Sequence, residues 1–318
     1  MAEADAPSGD GQPHPFASGT DDPHLLSPLA PFAGAEPPAP DWFRAAIDAP
    51  HERHHLHVEG ADIEWLAWGA RGKPGLLLLH GNGANADWWR FIAPALAESH
   101  RVAALSWSGM GGSTHRPAYS GEQYVREALA VADAAGLGRR FTVAGHSFGG
   151  FPAILLAAGH PDRLEQAIAI DTPLGDKRRP PRSDNPKPHR VYPTLAEALA
   201  RFRWAPMQPS PNPFITDFIA RSSLKRLSRT EGGWTWKFDP LLWQNFTMTD
   251  VGSTAAAVTT PLSYIWGEES VLAQHDVIPG IRRLLPPGTR FIGLPQAHHH
   301  VMADQPFALI AALRALLA

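Results

Sequence analysis

Cysteine is absent from the 318 residues, which excludes disulfides, thiolate metal sites and a cysteine nucleophile. An excess of charge of one sign is missing too. The formal net charge of -3 gives no electrostatic reason to expect nucleic acid or an anionic membrane as partner. Long hydrophobic runs are also lacking: the longest, such as residues 75–79, fall far short of the roughly 20 residues needed to cross a bilayer. The opening residues MAEADAPSGD contain neither a basic nor an apolar signal region. A soluble, cytoplasmic chain is the expectation, with its oligomeric state left open.

What is present centres on one stretch. Phe141-Thr142-Val143-Ala144 reads as a short buried strand that runs into Gly145-His146-Ser147-Phe148-Gly149-Gly150, and a helix-compatible run follows. Glycines on both sides of Ser147 suit a sharp strand-to-helix turn that pushes the hydroxyl out over the end of a sheet. The new helix directs its amides and positive dipole end at that hydroxyl, which favours a developing oxyanion.

Around this turn the chain alternates strand and helix signals. Residues 1–40, rich in Pro, Ala, Asp, Gly and Ser, predict a disordered or loosely packed arm, from which Leu25, Leu26, Leu29 and Phe32 can still pack on the body. Residues 41–48 suit a short helix. Residues 54–58 and 63–68 suit two antiparallel strands joined at Gly60-Ala61-Asp62. Strand alternation splits His51, His54, His55 and His57 between two faces, and no carboxylate stands at ligand spacing. Exposed strand histidines are therefore expected in place of a metal site.

The run 76–79 predicts a central strand buried on both faces, with a helix over 87–99 after it. Strands are expected over 101–107, 141–144, 166–170, 262–266 and 290–294, an amphipathic helix over 119–135, and a closing helix over 304–317. The glycine-rich run Ser108-Gly109-Met110-Gly111-Gly112-Ser113 lacks the G-x-G-x-x-G order opening into a helix, so no dinucleotide cofactor is expected. Residues 172–255 break the alternation. Pro- and Arg-rich sequence over 177–190 gives way to helix-like stretches at 194–202 and 214–227, then to Trp234-Thr235-Trp236-Lys237-Phe238. This predicts a mostly helical insertion over the strand ends. Its prolines and the acidic overall balance argue against nucleic acid.

The elbow, the loop His80-Gly81-Asn82-Gly83 after the third strand, the insertion and the late His298-His299-His300 together resemble the α/β-hydrolase superfamily over roughly residues 55–318. The resemblance implies an α/β fold: a mostly parallel central sheet with helices on both faces and a helical cap. The core would be split into residues 41–171 and 256–318 by the cap at 172–255. It also implies Ser147 as nucleophile and the backbone amides of Asn82 and Phe148 as oxyanion hole. In this family the catalytic histidine commonly stands seven residues before a proline and five before an acidic residue. Pro306 and Asp304 both point back to His299.

The acid departs from the usual pattern. Its commonest position, the last of a Gly-x-x-Asp motif after the strand ending at Trp266, is Ser270, which cannot stabilise an imidazolium. Some relatives place the acid after the preceding strand, where Asp171 stands. Asp171 ranks first, Glu269 second and an incomplete triad third.

The implied chemistry is hydrolysis of a small-molecule carboxylic ester through Ser147, His299 and Asp171, without cofactor or metal. Trp88, Trp89 and His300 are candidates for lining a substrate pocket, although core packing explains the tryptophans equally well. A C–C bond hydrolase or lactonase would use the same residues. The serine speaks against haloalkane dehalogenation and most epoxide hydrolysis, both of which need a carboxylate nucleophile. A receptor-like relative with little turnover stays open because of Ser270.

Overall fold

The computed structural model describes residues 21–174 and 188–318 apart from Arg229, Glu231, Met248 and His275. Residues 1–20 of the expected arm and most of the 177–190 stretch lie outside the described residues. Within the arm, residues 21–40 do not drape loosely. They form a helix Pro23–Leu26 and a 3-10 turn Ala30–Phe32, with Leu29 buried and Leu25, Leu26 and Phe32 half-buried.

Strands β1 (Glu52–Val58) and β2 (Ala61–Trp68) make an antiparallel hairpin. It turns at Glu59 and Gly60, both at positive φ, and so one residue earlier than expected. Strands β3 (Gly75–Leu79) and β4 (Arg101–Leu105) are buried throughout. The two-residue β5 (Tyr119–Ser120) precedes helix Gly121–Ala135. The Ser120 side chain caps that helix by accepting from the Gln123 amide, and Gly136 ends it at φ 70°.

Strands β6 (Phe141–His146) and β7 (Leu164–Ile170) bracket helix Gly150–Gly159. Next come helices Leu195–Leu199 and Pro213–Ser222, the antiparallel pair β8 (Leu224–Arg226) and β9 (Trp234–Trp236), and β10 (Phe246–Thr247), which pairs with β5. Strands β11 (Leu262–Gly267) and β12 (Arg290–Leu294) and helix Pro306–Leu317 complete the chain. The sheet order is β1-β2-β4-β3-β6-β7-β11-β12, with only the β1–β2 and β2–β4 pairs antiparallel.

The pleat sends alternate leucines of β3 to opposite faces. Leu77 and Leu79 join one buried cluster with helix Gly121–Ala135, while Leu76 and Leu78 join another with helix Pro306–Leu317. At the sheet's edge, His54, His55 and His57 lie exposed along β1.

Several expected helices are shorter or split, for local reasons. Residues 87–99 divide into the 3-10 turn Ala86–Trp89 and helix Ala93–Ala97, which takes Pro94 in its first turn. The closing helix divides at Gln305, because the residue before a proline is driven out of the helical region. The insertion is less helical than expected: the second of its helices stops at Ser222, and residues 224–226 go into β8. Helix Val277–Leu284 forms where no element was expected. Pro279 falls in the first turn, where a missing N–H costs nothing. Among the described residues, no helix is long and apolar enough to cross a membrane.

Candidate active site

Strand β6 delivers Ser147. The chain is extended at His146 (φ -91°, ψ 136°) and switches at Ser147 to φ 52°. That left-handed value costs a non-glycine residue roughly 1–2 kcal/mol. The reversal brings backbones into contact. A Cβ on Gly145 would lie 2.2 Å from the Gly149 carbonyl oxygen, and one on Gly149 would lie 2.6 Å from the carbonyl oxygens of Leu79 and His80. Ser147 is half-buried, and the turn Ser147–Gly149 leads straight into helix Gly150–Gly159.

Asp171 follows β7 and His299 follows β12, with β11 lying between those two strands in the sheet. Ile170 of β7 pairs with Ile265 of β11, so Asp171 and the loop after β11 emerge side by side. Asp171 is buried, at φ 45°. Its Oδ1 accepts from the Gly267 amide at 3.1 Å, and its Oδ2 accepts from the Ser270 hydroxyl at 2.6 Å and from His299 Nδ1 at 2.6 Å. The other ring nitrogen of His299, Nε2, lies 2.8 Å from Ser147 Oγ. A carboxylate only accepts, so Nδ1 carries the proton and Nε2 turns its lone pair to the serine hydroxyl. This tautomer can take the serine proton.

Ser147, His299 and Asp171 are thus brought together, and Glu269 is not. Glu269 is exposed, with Oε2 3.4 Å from His298 Nε2. Ser270 has a part that sequence reasoning missed. Wholly buried, it donates to Asp171 at the end of the adjacent strand. A short hydroxyl at the usual acid position, beside an aspartate ending the adjacent strand, is the signal that pointed to it. Ser270→Ala removes one of three donors to Asp171 and is expected to destabilise the fold by about 2 kcal/mol, read from the urea midpoint.

Two further histidines are buried and neutral beside the serine. His80 Nδ1 donates to the Gly81 carbonyl at 2.7 Å and its Nε2 accepts from the Trp107 amide at 3.1 Å, which leaves no place for a second proton. Burial lowers it to about 4. His146 Nε2 donates to the His299 carbonyl at 2.9 Å, and burial, with His299 beside it, holds His146 well below the usual histidine range. The unfolded chain therefore takes up a proton at His80 below about pH 6.5 that the folded protein refuses until about pH 4. Stability is expected to fall across that window as the pH drops, by about 3 kcal/mol from His80 alone. Urea midpoints at about pH 7 and 4.5 measure it; equal midpoints would contradict the neutral His80.

The residues after β3, His80 to Gly83, meet the insertion through Trp243. A Cβ on Gly81 would come 3.1 Å from Ser147 Cβ, so a side chain there would crowd the serine. The next residue, Asn82, accepts at Oδ1 from Trp243 Nε1 at 3.1 Å. The buried Phe148 ring meets the same tryptophan edge-on at 5.3 Å. Trp243 thereby touches both residues whose amides were expected to form the oxyanion hole, a contact with no local sequence signal.

Trp88 and His300 stand together, ring centroids 5.8 Å apart, with Trp204 of the insertion against both. Trp89 does not join them. It is fully buried in the core, because consecutive residues of a 3-10 turn point about 120° apart.

The family model described as the alpha/beta hydrolase family matches residues 76–313. A serine hydrolase-like protein of Dictyostelium discoideum is 36% identical over 126 residues, covering 38% of this chain and 35% of that protein. A serine hydrolase-like protein of Danio rerio is 28% identical over 206 residues, 58% of this chain and 60% of that one. The chain thus spans less than two-thirds of either relative. The esterase Rv0045c of Mycobacterium tuberculosis is 26% identical over 324 residues, covering 94% of this chain and 97% of that protein. Its crystal structure superposes with a TM-score of 0.63 at 24% identity, over 95% of this chain and 99% of that one. The thioesterase domain from the curacin biosynthetic pathway gives 0.69 at 21% identity, over 84% and 99%. At such identities these two structures speak for the fold alone.

Proposed function

The chain belongs to the alpha/beta hydrolase family, and from that premise we propose that it is a serine hydrolase of small-molecule carboxylic esters, with Ser147 as nucleophile, His299 as base and Asp171 as acid. The observation that carries this is the continuous hydrogen-bonded line from Ser147 Oγ through both nitrogens of His299 to Asp171 Oδ2.

Ser147 Oγ attacks the ester carbonyl as His299 Nε2 takes its proton. The carbonyl oxygen becomes an anion held by the Asn82 and Phe148 amides, aided by the positive end of helix Gly150–Gly159. Asp171 stabilises the imidazolium and does not itself take the proton. Collapse breaks the ester C–O bond, and His299 gives its proton to the departing alcohol. Water enters with His299 again as base, attacks the acyl-serine, and releases the carboxylic acid and free Ser147.

Stopped-flow hydrolysis of p-nitrophenyl butanoate is the test. A burst of about one p-nitrophenol per chain followed by sustained turnover is expected. A burst with no turnover would contradict the hydrolase and favour a ligand-binding relative.

A further inference from the structure

The insertion grips the histidine loop through Gln208. The side-chain Nε2 of Gln208 donates to Asp304 Oδ1 at 3.0 Å, and its Oε1 accepts from both the amide and Nδ1 of His300, each at 2.8 Å. The orientation of this amide is determined at both ends. The other oxygen of Asp304 accepts from the His298 amide at 2.7 Å and faces His298 Nδ1 at 3.1 Å, so the Asp304 carboxyl serves as acceptor. The His300 backbone N–H can only donate. The NH2 of Gln208 therefore faces Asp304 and its oxygen faces His300.

It follows that His300 Nδ1 carries a proton. Burial, with His299 and His146 nearby, holds this imidazole well below the usual histidine range, so the ring is neutral and Nε2 is a bare lone pair. His300 is 5% exposed, and among the described residues its Nε2 has no hydrogen-bond partner. The donors close to the ring are already engaged: Trp88 Nε1 with Ser223 Oγ at 3.2 Å, Trp204 Nε1 with Ser210 Oγ at 2.8 Å, and His146 Nε2 with the His299 carbonyl. The ring of His300 lies 4.8 Å from that of His299. This lone pair is not among the fully enclosed unpartnered atoms, so it keeps some accessible surface, where water meets it in the free protein and a ligand donor can take that water's place.

We infer that His300 Nε2 is a specificity-determining acceptor, and that the substrates are esters carrying a hydroxyl or amide N–H near the scissile carbonyl. The inference rests on the ester-hydrolase reading of Ser147 and His299. It deepens that reading by naming a substrate class. A site with a fixed, unpaired acceptor discriminates strongly against an analogue that lacks the donor, because the acceptor then stays unpaired in the complex.

Three matched ester pairs test it. The first two are p-nitrophenyl N-acetylglycinate against 4-oxopentanoate, and p-nitrophenyl 3-hydroxybutanoate against 3-methylbutanoate. The third is 2-hydroxyethyl butanoate against propyl butanoate. In each pair a methylene or methyl replaces the donor. The wild type is expected to prefer the donor-bearing member of at least one pair by about 10- to 100-fold in kcat/KM. That ratio should fall towards unity in His300→Phe and recover in part in His300→Gln, whose amide oxygen again offers an acceptor.

Nitrogen-15 NMR of the wild type provides a readout without turnover: His300 should show an unprotonated Nε2 across about pH 5 to 8. Equal kcat/KM within every pair, or a proton on Nε2, overturns the inference while leaving the hydrolase in place. No Ser147-dependent hydrolysis of any ester overturns the hydrolase and the inference with it.

Discussion

Ser147→Ala is expected to lower kcat for p-nitrophenyl butanoate by about 10⁶-fold, with KM changed only a few-fold. The substitution removes the atom that forms the covalent bond and leaves the rest of the site in place. Alanine meets the same left-handed backbone at φ 52° as serine, so no new strain arises and the thermal midpoint should stay close to wild type. Residual hydrolysis would come from the oxyanion amides and from binding alone. A variant within about tenfold of wild type would place the hydrolysis elsewhere on the chain.

Asp171→Asn is the next largest effect, about 10⁴-fold in kcat. Three donors converge on this side chain: the Gly267 amide on Oδ1, and the Ser270 hydroxyl with His299 Nδ1 on Oδ2. Asparagine has one acceptor atom, so its NH2 must oppose one side of that arrangement. If it faces His299, the ring moves its proton to Nε2 and can no longer accept from Ser147. If it faces Gly267, two buried donors collide and the loop shifts. In both arrangements His299 loses the negative charge that stabilises its imidazolium. Glu269→Gln is the matched control, expected within about threefold of wild type because Glu269 is exposed and meets only His298. A large loss in Glu269→Gln with Asp171→Asn near normal would reverse the assignment.

Those parts of the fold that local chemistry dictates were legible beforehand. Four leucines in a row after Gly75 can only be a strand covered on both faces. The glycines at 145, 149 and 150 suit a tight reversal. Asp171 was singled out from relatives that place the acid one strand earlier and from its place at a strand end, and the β7–β11 register sets that position beside the loop after β11. Asp171, 2.6 Å from His299, sets a carboxylate against that ring where Ser270 offers none.

What stayed hidden depends on contacts between distant residues. Gln208 meets His300 and Asp304 from 92 and 96 residues away, and Trp243 meets Asn82 from 161 away, with nothing in either neighbourhood to announce the partner. Trp88 and Trp89 look alike in sequence. Both are buried in one cluster, and only the geometry of their 3-10 turn sets Trp88, and not Trp89, against His300.

The most direct measurement is rapid-quench mass spectrometry of the wild-type protein during the p-nitrophenyl butanoate burst, followed by peptide mapping. The mechanism predicts a butanoyl adduct on Ser147 that forms with the burst and persists through steady turnover. Nitrophenol release at full rate with no adduct, or with the acyl group on another residue, would contradict it.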